Sequence, residues 1–120
     1  MDEIITLDYG SGGKKTSRLI EKLIVPRFAN EALKSLGDGA VIPGGEELAF
    51  STDSFVVDPL FFPGGSIGKL AVCGTVNDVA MCGAEPQFLS CSLIIEEGLP
   101  LETLERVLDA MGKAAADAGV

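Results

Sequence analysis

Two aspartates occupy positions at which a carboxylate is normally unfavourable. Asp53 lies inside an otherwise apolar strand pattern, and Asp78 lies near the end of an apolar helix pattern. The C-terminus of a helix disfavours a carboxylate by about 0.3–1 kcal/mol even in water, and burial of an unpaired carboxylate costs several kcal/mol. Because Asp78 shares a helical face with Ala71 and Gly74, the sequence predicts that it is buried. A bound cation would then compensate the charge.

A third aspartate, Asp38, lies between two glycines. Mg²⁺ prefers oxygen ligands and usually takes one or two carboxylates together with waters and the phosphates of a substrate. The sequence has no histidine, which is the usual ligand for softer metals. Asp38, Asp53 and Asp78 are therefore candidate ligands of a magnesium ion that also binds nucleotide phosphates. Asn77 is a candidate for positioning the metal shell or a phosphate.

Each of these side chains also has a purely structural explanation. Asp78 could turn to solvent or cap a local turn, and Asp53 could be a charge that protects a sheet edge from aggregation. Asp38 could be an ordinary residue of an Asp-Gly turn. Asn77 could simply hydrogen-bond a neighbouring carbonyl. The residues by themselves leave these alternatives open.

A second feature that indicates phosphate binding is the glycine loop, residues 10–16 (GSGGKKT), which leads into a predicted helix. Consecutive glycines let backbone N–H groups approach an anion, and a helix N-terminus favours negative charge. Gly12, Gly13 and Lys14 are thus candidate phosphate-binding residues. The spacing matches neither a P-loop, which needs glycine where Lys14 stands, nor a dinucleotide-binding loop, which needs glycine at position 15. A flexible turn is the alternative.

Charge and cysteine content exclude several classes of function. The net charge of −9 over 120 residues argues against nucleic acid or an anionic membrane surface as a partner, but cations can still bridge carboxylates to a nucleotide. Cys73, Cys82 and Cys91 fit neither a disulfide framework nor a zinc site, so buried, reduced thiols of a cytoplasmic protein are expected. The sequence shows no signal peptide and no apolar run of about 18 residues.

The elements that must position these residues form a mixed α/β pattern. Apolar residues at three- and four-residue spacing predict helices from the glycine loop to about Pro26, over 67 to about 81, and from 101 to a cap at Gly119. Ser66 is the expected N-cap of the second helix, and Gly83 its stop. Strands are predicted over 4–7, 40–42, 48–57 and 87–97.

At these residues the chain resembles the aminoimidazole ribonucleotide synthetase superfamily, and within it the HypE family of hydrogenase maturation proteins. The resemblance covers essentially the whole chain. It is carried by GSGGK at 10–14, DGA at 38–40, STDSF at 51–55, FPGG at 62–65, GTVND at 74–78, GAEP at 83–86 and IIEEGLPLETLERV at 94–107. The resemblance implies the α/β fold of PurM amino-terminal domains, in which a mixed sheet forms a barrel across a homodimer and helices pack outside.

The resemblance also implies ATP and Mg²⁺ as cofactors. It assigns Asp38, Asp53 and Asp78 to magnesium, and Gly12, Gly13, Lys14, Asp53, Asn77 and Asp78 to ATP and its phosphates. Lys14 is a candidate catalytic residue in a loop over the triphosphate. Ser11 stands where selenophosphate synthetase relatives carry a reactive cysteine or selenocysteine, which argues against a selenium role.

The implied function is that of an ATP-dependent dehydratase. In this family a carbamoyl group from HypF is carried on the C-terminal cysteine of HypE, and dehydration of the thiocarboxamide to a thiocyanate supplies the cyanide ligand of the [NiFe] hydrogenase iron. The HypC–HypD complex is a further implied partner. Residues 1–120 contain neither that cysteine nor a second domain. They are therefore expected to be an amino-terminal ATP-binding and dimerisation domain that is inactive in isolation.

Two other interpretations remain open. The chain could belong to another ATP-dependent member of the superfamily, such as a thiamine monophosphate kinase or a purine-pathway synthetase. It could also be a non-catalytic dimerisation module that has the fold without the metal site.

Overall fold

The secondary structure consists of helices and one short hairpin. The structure, a computed structural model, describes residues 2–28 and 30–120. In chain order the elements are a 3₁₀ turn (Leu7–Gly10), α1 (Lys14–Leu19), a π-helical segment (Ile20–Ile24), α2 (Val25–Phe28), β1 (Phe61–Phe62), β2 (Gly65–Ser66), α3 (Ile67–Met81) and α4 (Leu101–Ala118).

The chain divides into two compact units, which are described separately below. The first comprises the chain up to Pro43 together with Leu93–Arg106, and the second comprises Gly44–Ser92 together with Val107–Val120. The division falls within α4, so this helix contributes residues to both units.

In the first unit, the N-terminal segment pairs with the chain that precedes α4. The N–H of Ile5 donates to the carbonyl oxygen of Leu99 at 2.7 Å, and the N–H of Gly98 donates to the carbonyl oxygen of Ile5 at 2.7 Å. The predicted strand over 4–7 is reduced to an isolated antiparallel bridge between Ile4 and Pro100. The buried apolar residues of this unit are Ile5, Tyr9, Leu19, Leu23, Leu101 and Leu104.

The helix that follows the glycine loop changes pitch before Pro26. α1 gives way to the π-helical segment Ile20–Ile24, and α2 then continues through Pro26 to Phe28. Proline has no N–H to donate to the preceding turn, which disturbs the regular hydrogen-bond pattern of an α-helix. The guanidinium of Arg27 donates to the Leu23 carbonyl at 2.8 Å in this turn. The sequence predicted that the helix is disrupted or ends at about Pro26; the change of pitch lies just before this residue, and α2 runs through it to Phe28.

In the second unit, a tight hairpin leads directly into α3. β1 pairs antiparallel with β2, and Pro63 and Gly64 form the turn between them. Gly64 has φ +86°, a conformation that glycine adopts without strain. The sequence pattern predicted no strand in this stretch.

The ends of α3 lie where the sequence predicts them. The Ser66 hydroxyl accepts a hydrogen bond from the Lys69 N–H at 3.2 Å and so caps the first turn. Gly83 follows the helix with φ +78°, and its N–H donates to the Ala80 carbonyl at 2.9 Å. The predicted helix, its cap and its stop are confirmed.

α3 and α4 approach each other closely at Gly68. A Cβ at this position would lie 2.5 Å from the Val107 carbonyl oxygen and 3.0 Å from Met111 Cγ. A side chain of any size would therefore collide with the backbone of α4. In the second unit the buried apolar residues are Val72, Val107, Leu108, Met111 and Ala114.

The apolar face predicted for α4 is confirmed. Leu101, Leu104, Leu108 and Met111 are buried, and Ala115 is half-buried. Gly119 follows the helix with φ +72°, and the N–H of Val120 donates to the Ala115 carbonyl at 3.0 Å. Among the described residues, no helix is long and apolar enough to span a bilayer.

Three predicted strands are wrong for this structure, since residues 40–42, 48–57 and 87–97 form no strand ladder within the described chain. The segment 48–57 shows strand-like alternation only in part, because Ser51, Phe55 and Val57 are half-buried but Asp53, which an alternating pattern would place on the same face, is exposed. Alternation specifies which side chains face inward. A strand also needs a neighbour for its backbone N–H and C=O groups, and alternation does not supply one.

Candidate functional site

Asp78 is exposed, contrary to the prediction that it is buried. The buried residues of α3 are Gly68 and Val72, both in its first half, and Met81 at its end is 86% exposed. Gly74, one turn before Asp78, is too small to cover a neighbouring carboxylate. The predicted cost of burying this charge is therefore absent, and the carboxylate is open to a hydrated cation.

Asp53 is exposed as well. Its Oδ1 accepts a hydrogen bond from the N–H of Ser54 at 2.8 Å. Because the segment is not paired into a sheet, the expected penalty for an aspartate inside a strand is also absent. Asn77, beside Asp78 on α3, is exposed too.

The candidate ligands lie in both units. Asp38 and the glycine loop belong to the first unit, and Asp53, Asn77 and Asp78 belong to the second. Within the part of the chain that the structure describes, no three carboxylate or thiol groups are close enough to hold a metal ion. Exposed carboxylate and amide oxygens fit Mg²⁺, which takes few protein ligands and adds waters and phosphates. The assignment of Asp38, Asp53 and Asp78 to a metal stays a prediction.

The glycine loop is held in a defined conformation by the hydroxyl of Thr16. Its Oγ1 accepts a hydrogen bond from the Gly12 N–H at 3.0 Å and donates one to the Tyr9 carbonyl at 2.7 Å. Gly12 has φ +79°, which favours glycine at this position. Gly13 is the N-cap of α1 and provides no capping side chain. The first N–H groups of the helix therefore have no capping side chain at Gly13, and the anion-binding role of the loop stays a prediction.

The two lysines of the loop have different surroundings. The Lys15 ammonium lies 2.8 Å from Asp2 Oδ2, 3.0 Å from Asp8 Oδ2 and 5.3 Å from the centre of the Tyr9 ring. Lys14 is exposed, and its ammonium has no ion-pair partner among the residues that the structure describes. Of the two, Lys14 is the one available to a phosphate.

The ion cluster around Lys15, which consists of Lys15, Asp2 and Asp8, shifts the pKa values of all three residues. Hydrogen bonds to Asp2 and then to Asp8 raise the pKa of Lys15. The Lys15 hydrogen bond lowers the pKa of Asp2, and the hydrogen bond from the Thr6 hydroxyl, followed by that from Lys15, lowers the pKa of Asp8. Sequence reasoning missed this cluster, because only the position of Asp8 next to the glycine loop hinted at it.

The three cysteines are exposed, so the prediction that they are buried is wrong. Cys73 lies on α3, Cys82 follows its end, and Cys91 lies in the unpaired segment 87–97. Their burial was inferred from apolar neighbours in sequence, which do not cover these residues here, although partial burial raises the pKa of the Cys91 thiol. All three cysteines are free, as expected.

Comparison with protein families gives one match over most of the chain. The model of the AIR synthase related protein N-terminal domain matches residues 36–120. The matched range contains Asp38, Asp53 and Asp78 and begins after the glycine loop.

Curated relatives match along nearly the full length of the chain. It is 52% identical to the carbamoyl dehydratase HypE of Escherichia coli K12, over 97% of this chain and 36% of that protein. It is 51% identical to the carbamoyl dehydratase HypE of Rhizobium leguminosarum bv. viciae, over 97% of this chain and 33% of that protein. The chain therefore spans about a third of the length of these relatives.

Solved structures of the same kind share the fold. A hydrogenase maturation protein HypE in complex with ATP superposes with a TM-score of 0.93 at 58% identity, over 95% of this chain and 34% of that one. The Escherichia coli HypE structure superposes with a TM-score of 0.80 at 53% identity, over 86% and 34% of the two chains. The mixed α/β, PurM-like fold expected from the sequence is therefore confirmed.

Proposed function

This chain belongs to the AIR synthase related protein family, and on that premise we propose that it is the ATP-binding part of a HypE-type carbamoyl dehydratase. The observation that supports the proposal most strongly is its match to a HypE protein whose structure contains ATP. The HypE relatives favour this function over that of a thiamine monophosphate kinase or a purine-pathway synthetase.

In this proposal the exposed carboxylates bind the metal. Asp53 and Asp78, with Asp38 as a third candidate, hold Mg²⁺. The side-chain amide of Asn77 donates a hydrogen bond to a phosphate oxygen or accepts one from a water in the metal shell. When bound, Mg²⁺ neutralises negative charge on the phosphate oxygens, which favours attack at the γ-phosphorus. Burial no longer supports this role, since both Asp53 and Asp78 are exposed and accessible to a hydrated cation. Its support is the resemblance of the motifs that contain them to those of the superfamily.

The glycine loop binds the triphosphate in the same proposal. The Gly13 N–H approaches the phosphates, the Gly12 N–H can do so once it leaves the Thr16 hydroxyl, and the exposed ammonium of Lys14 pairs with them. Lys15 cannot replace Lys14, because its charge is already paired with Asp2 and Asp8. Before ATP binds, the Thr16 hydroxyl holds the loop in place through its hydrogen bonds with the Gly12 N–H and the Tyr9 carbonyl.

The proposed reaction is the dehydration of a protein thiocarboxamide. The amide oxygen attacks the γ-phosphorus of ATP and ADP leaves; loss of the oxygen as phosphate and of both N–H protons then converts the carbamoyl group to a thiocyanate. The last cysteine of this sequence is Cys91, so the terminal cysteine that carries the group in this proposal is not among these residues. A homodimer, HypF as carbamoyl donor and the HypC–HypD complex are the partners proposed by resemblance.

Titration calorimetry with Mg-ATP tests the proposal. The protein to use is a HypE fusion, in which these 120 residues replace the matching third of the Escherichia coli relative. Asp78→Asn and Lys14→Met should each weaken binding by about tenfold to a hundredfold, because each removes a charge that faces the metal or the phosphates.

Asp117→Asn is the matched control, since it removes an exposed carboxylate near the end of α4. It should leave the affinity for Mg-ATP unchanged. Unaltered affinity of both Asp78→Asn and Lys14→Met would refute the proposed site.

A further inference from the structure

The side chain of Phe55 packs directly against the backbone of α3 at Gly74. A Cβ at Gly74 would lie 2.8 Å from Phe55 Cζ and 3.0 Å from Phe55 Cε1. Real side chains do not tolerate such a short separation, so the ring occupies the space that any residue other than glycine would fill. Phe55 is accordingly half-buried, whereas its neighbours Ser54 and Val56 are exposed.

This contact joins the two segments that carry candidate magnesium ligands of the second unit. Asp53 precedes Phe55 by two residues, and an extended chain rises about 3.4 Å per residue, so their Cα atoms lie within about 7 Å of each other. Asp78 follows Gly74 by one helical turn, and helical side chains lean toward the N-terminus of their helix. Gly74 and Asp78 therefore lie one turn apart on the same face of α3.

We propose that the packing of Phe55 against Gly74 is a positioning contact, which fixes the separation of Asp53 and Asp78 so that both can hold one magnesium ion bound to a triphosphate. Neither Phe55 nor Gly74 touches the metal in this proposal. They act through the aspartates, because their contact connects the segment that carries Asp53 to the helix that carries Asp78. The inference rests on the proposed function of the site.

The effect of this contact on metal binding can be measured separately from its effect on the stability of the fold. The atoms that a new Cβ would meet are at the far end of the Phe55 ring, which can move outward without unfolding α3. Gly74→Ala should therefore displace the ring and with it the Asp53 segment. Phe55→Leu shortens the side chain and leaves the space that the methyl group added by Gly74→Ala would fill.

The test measures the binding of Mn²⁺ with a non-hydrolysable ATP analogue to the HypE fusion, by electron paramagnetic resonance of the free Mn²⁺. Gly74→Ala should weaken Mn²⁺ binding by about tenfold to a hundredfold, as loss of supporting contacts does at other metal sites, and Phe55→Leu should weaken it in the same direction. The double variant Gly74→Ala/Phe55→Leu should recover most of the affinity, because the smaller side chain accommodates the added methyl group. Such recovery is not expected from a purely additive loss of stability.

Gly68→Ala is the control for a merely structural effect. It makes the same change in the same helix, but the new methyl group meets α4. It should lower the melting temperature and leave Mn²⁺ affinity unchanged below that temperature.

Two further variants separate failure of this inference from failure of the proposed function. If Asp53→Asn and Asp78→Asn lose Mn²⁺ affinity while Gly74→Ala keeps it, or while the double variant shows no recovery, the positioning role is overturned and the metal site stands. If Asp53→Asn and Asp78→Asn bind Mn²⁺ and the analogue normally, the proposed function fails, and the positioning role with it.

Discussion

Lys14 and Lys15 are adjacent in sequence, yet the structure gives them different surroundings. Consecutive residues of a helix point about 100° apart, so one lysine can face the N-terminal segment while the other faces away from it. Lys15 is paired with Asp2 and Asp8, and Lys14 remains exposed. The residue types alone do not distinguish the two lysines, because the distinction depends on where Asp2 and Asp8 lie in the folded chain.

The ion cluster around Lys15 predicts a specific pH dependence. Asp2 and Asp8 should titrate below the ordinary value of 3.8, as measured by carboxyl ¹³C NMR. Because folding lowers these pKa values, the cluster stabilises the N-terminal segment above about pH 4 and loses that effect as the pH falls through the lowered values. The pKa of Lys15 is raised above 10.5, so its contribution persists through neutral pH and is lost only in strong alkali.

Lys15→Met provides the control for this titration. It should return the pKa of Asp2 most of the way to its ordinary value and that of Asp8 only in part, since the Thr6 hydroxyl still bonds to Asp8. Unshifted aspartates in the unmutated chain would contradict the ion cluster.

At the scale of elements, the helices could be predicted from the sequence and the strands could not. The signals that define α3 are local, namely the Ser66 cap, the apolar pattern and the stop at Gly83. The strand over 48–57 depends on a partner that local patterning does not identify. The same limit explains the errors at Asp78 and at the cysteines, since their burial was inferred from neighbours in sequence.

The close approach of α3 and α4 predicts a large effect of one methyl group. Gly68→Ala should destabilise the chain by about 1–3 kcal/mol, because the new Cβ meets the Val107 carbonyl oxygen and cannot displace it without shifting α4. Thermal denaturation followed by circular dichroism measures the change, expected at about 4–8 °C for each kcal/mol.

Gly39→Ala is the matched control for the helix contact. An added Cβ at Gly39 would have no heavy atom within 4 Å, and this glycine does not have a positive φ. Its effect should stay within about 0.5 kcal/mol. Equal melting temperatures of the Gly68→Ala and Gly39→Ala variants would contradict the packing described for α3 and α4.

At the scale of the whole molecule, the site residues were predicted from motifs and not from geometry. The superfamily motifs identify Asp38, Asp53 and Asp78 in a chain that spans about a third of the length of its relatives. Three large apolar side chains of the unpaired segment 48–57 are exposed, Leu48 by 76%, Phe50 by 87% and Val56 by 98%. An exposed, unpaired segment of this kind is suited to strand pairing with another chain. The homodimeric barrel stays a prediction.

The account depends on Asp53 and Asp78 binding one magnesium ion together with a nucleotide. A crystal structure of the HypE fusion with Mg²⁺ and a non-hydrolysable ATP analogue measures this directly. We expect a metal ion coordinated by an oxygen of each aspartate at about 2.1 Å, with phosphate oxygens and waters completing the shell. A bound nucleotide whose metal ion contacts neither carboxylate, with both side chains in bulk solvent, would contradict it.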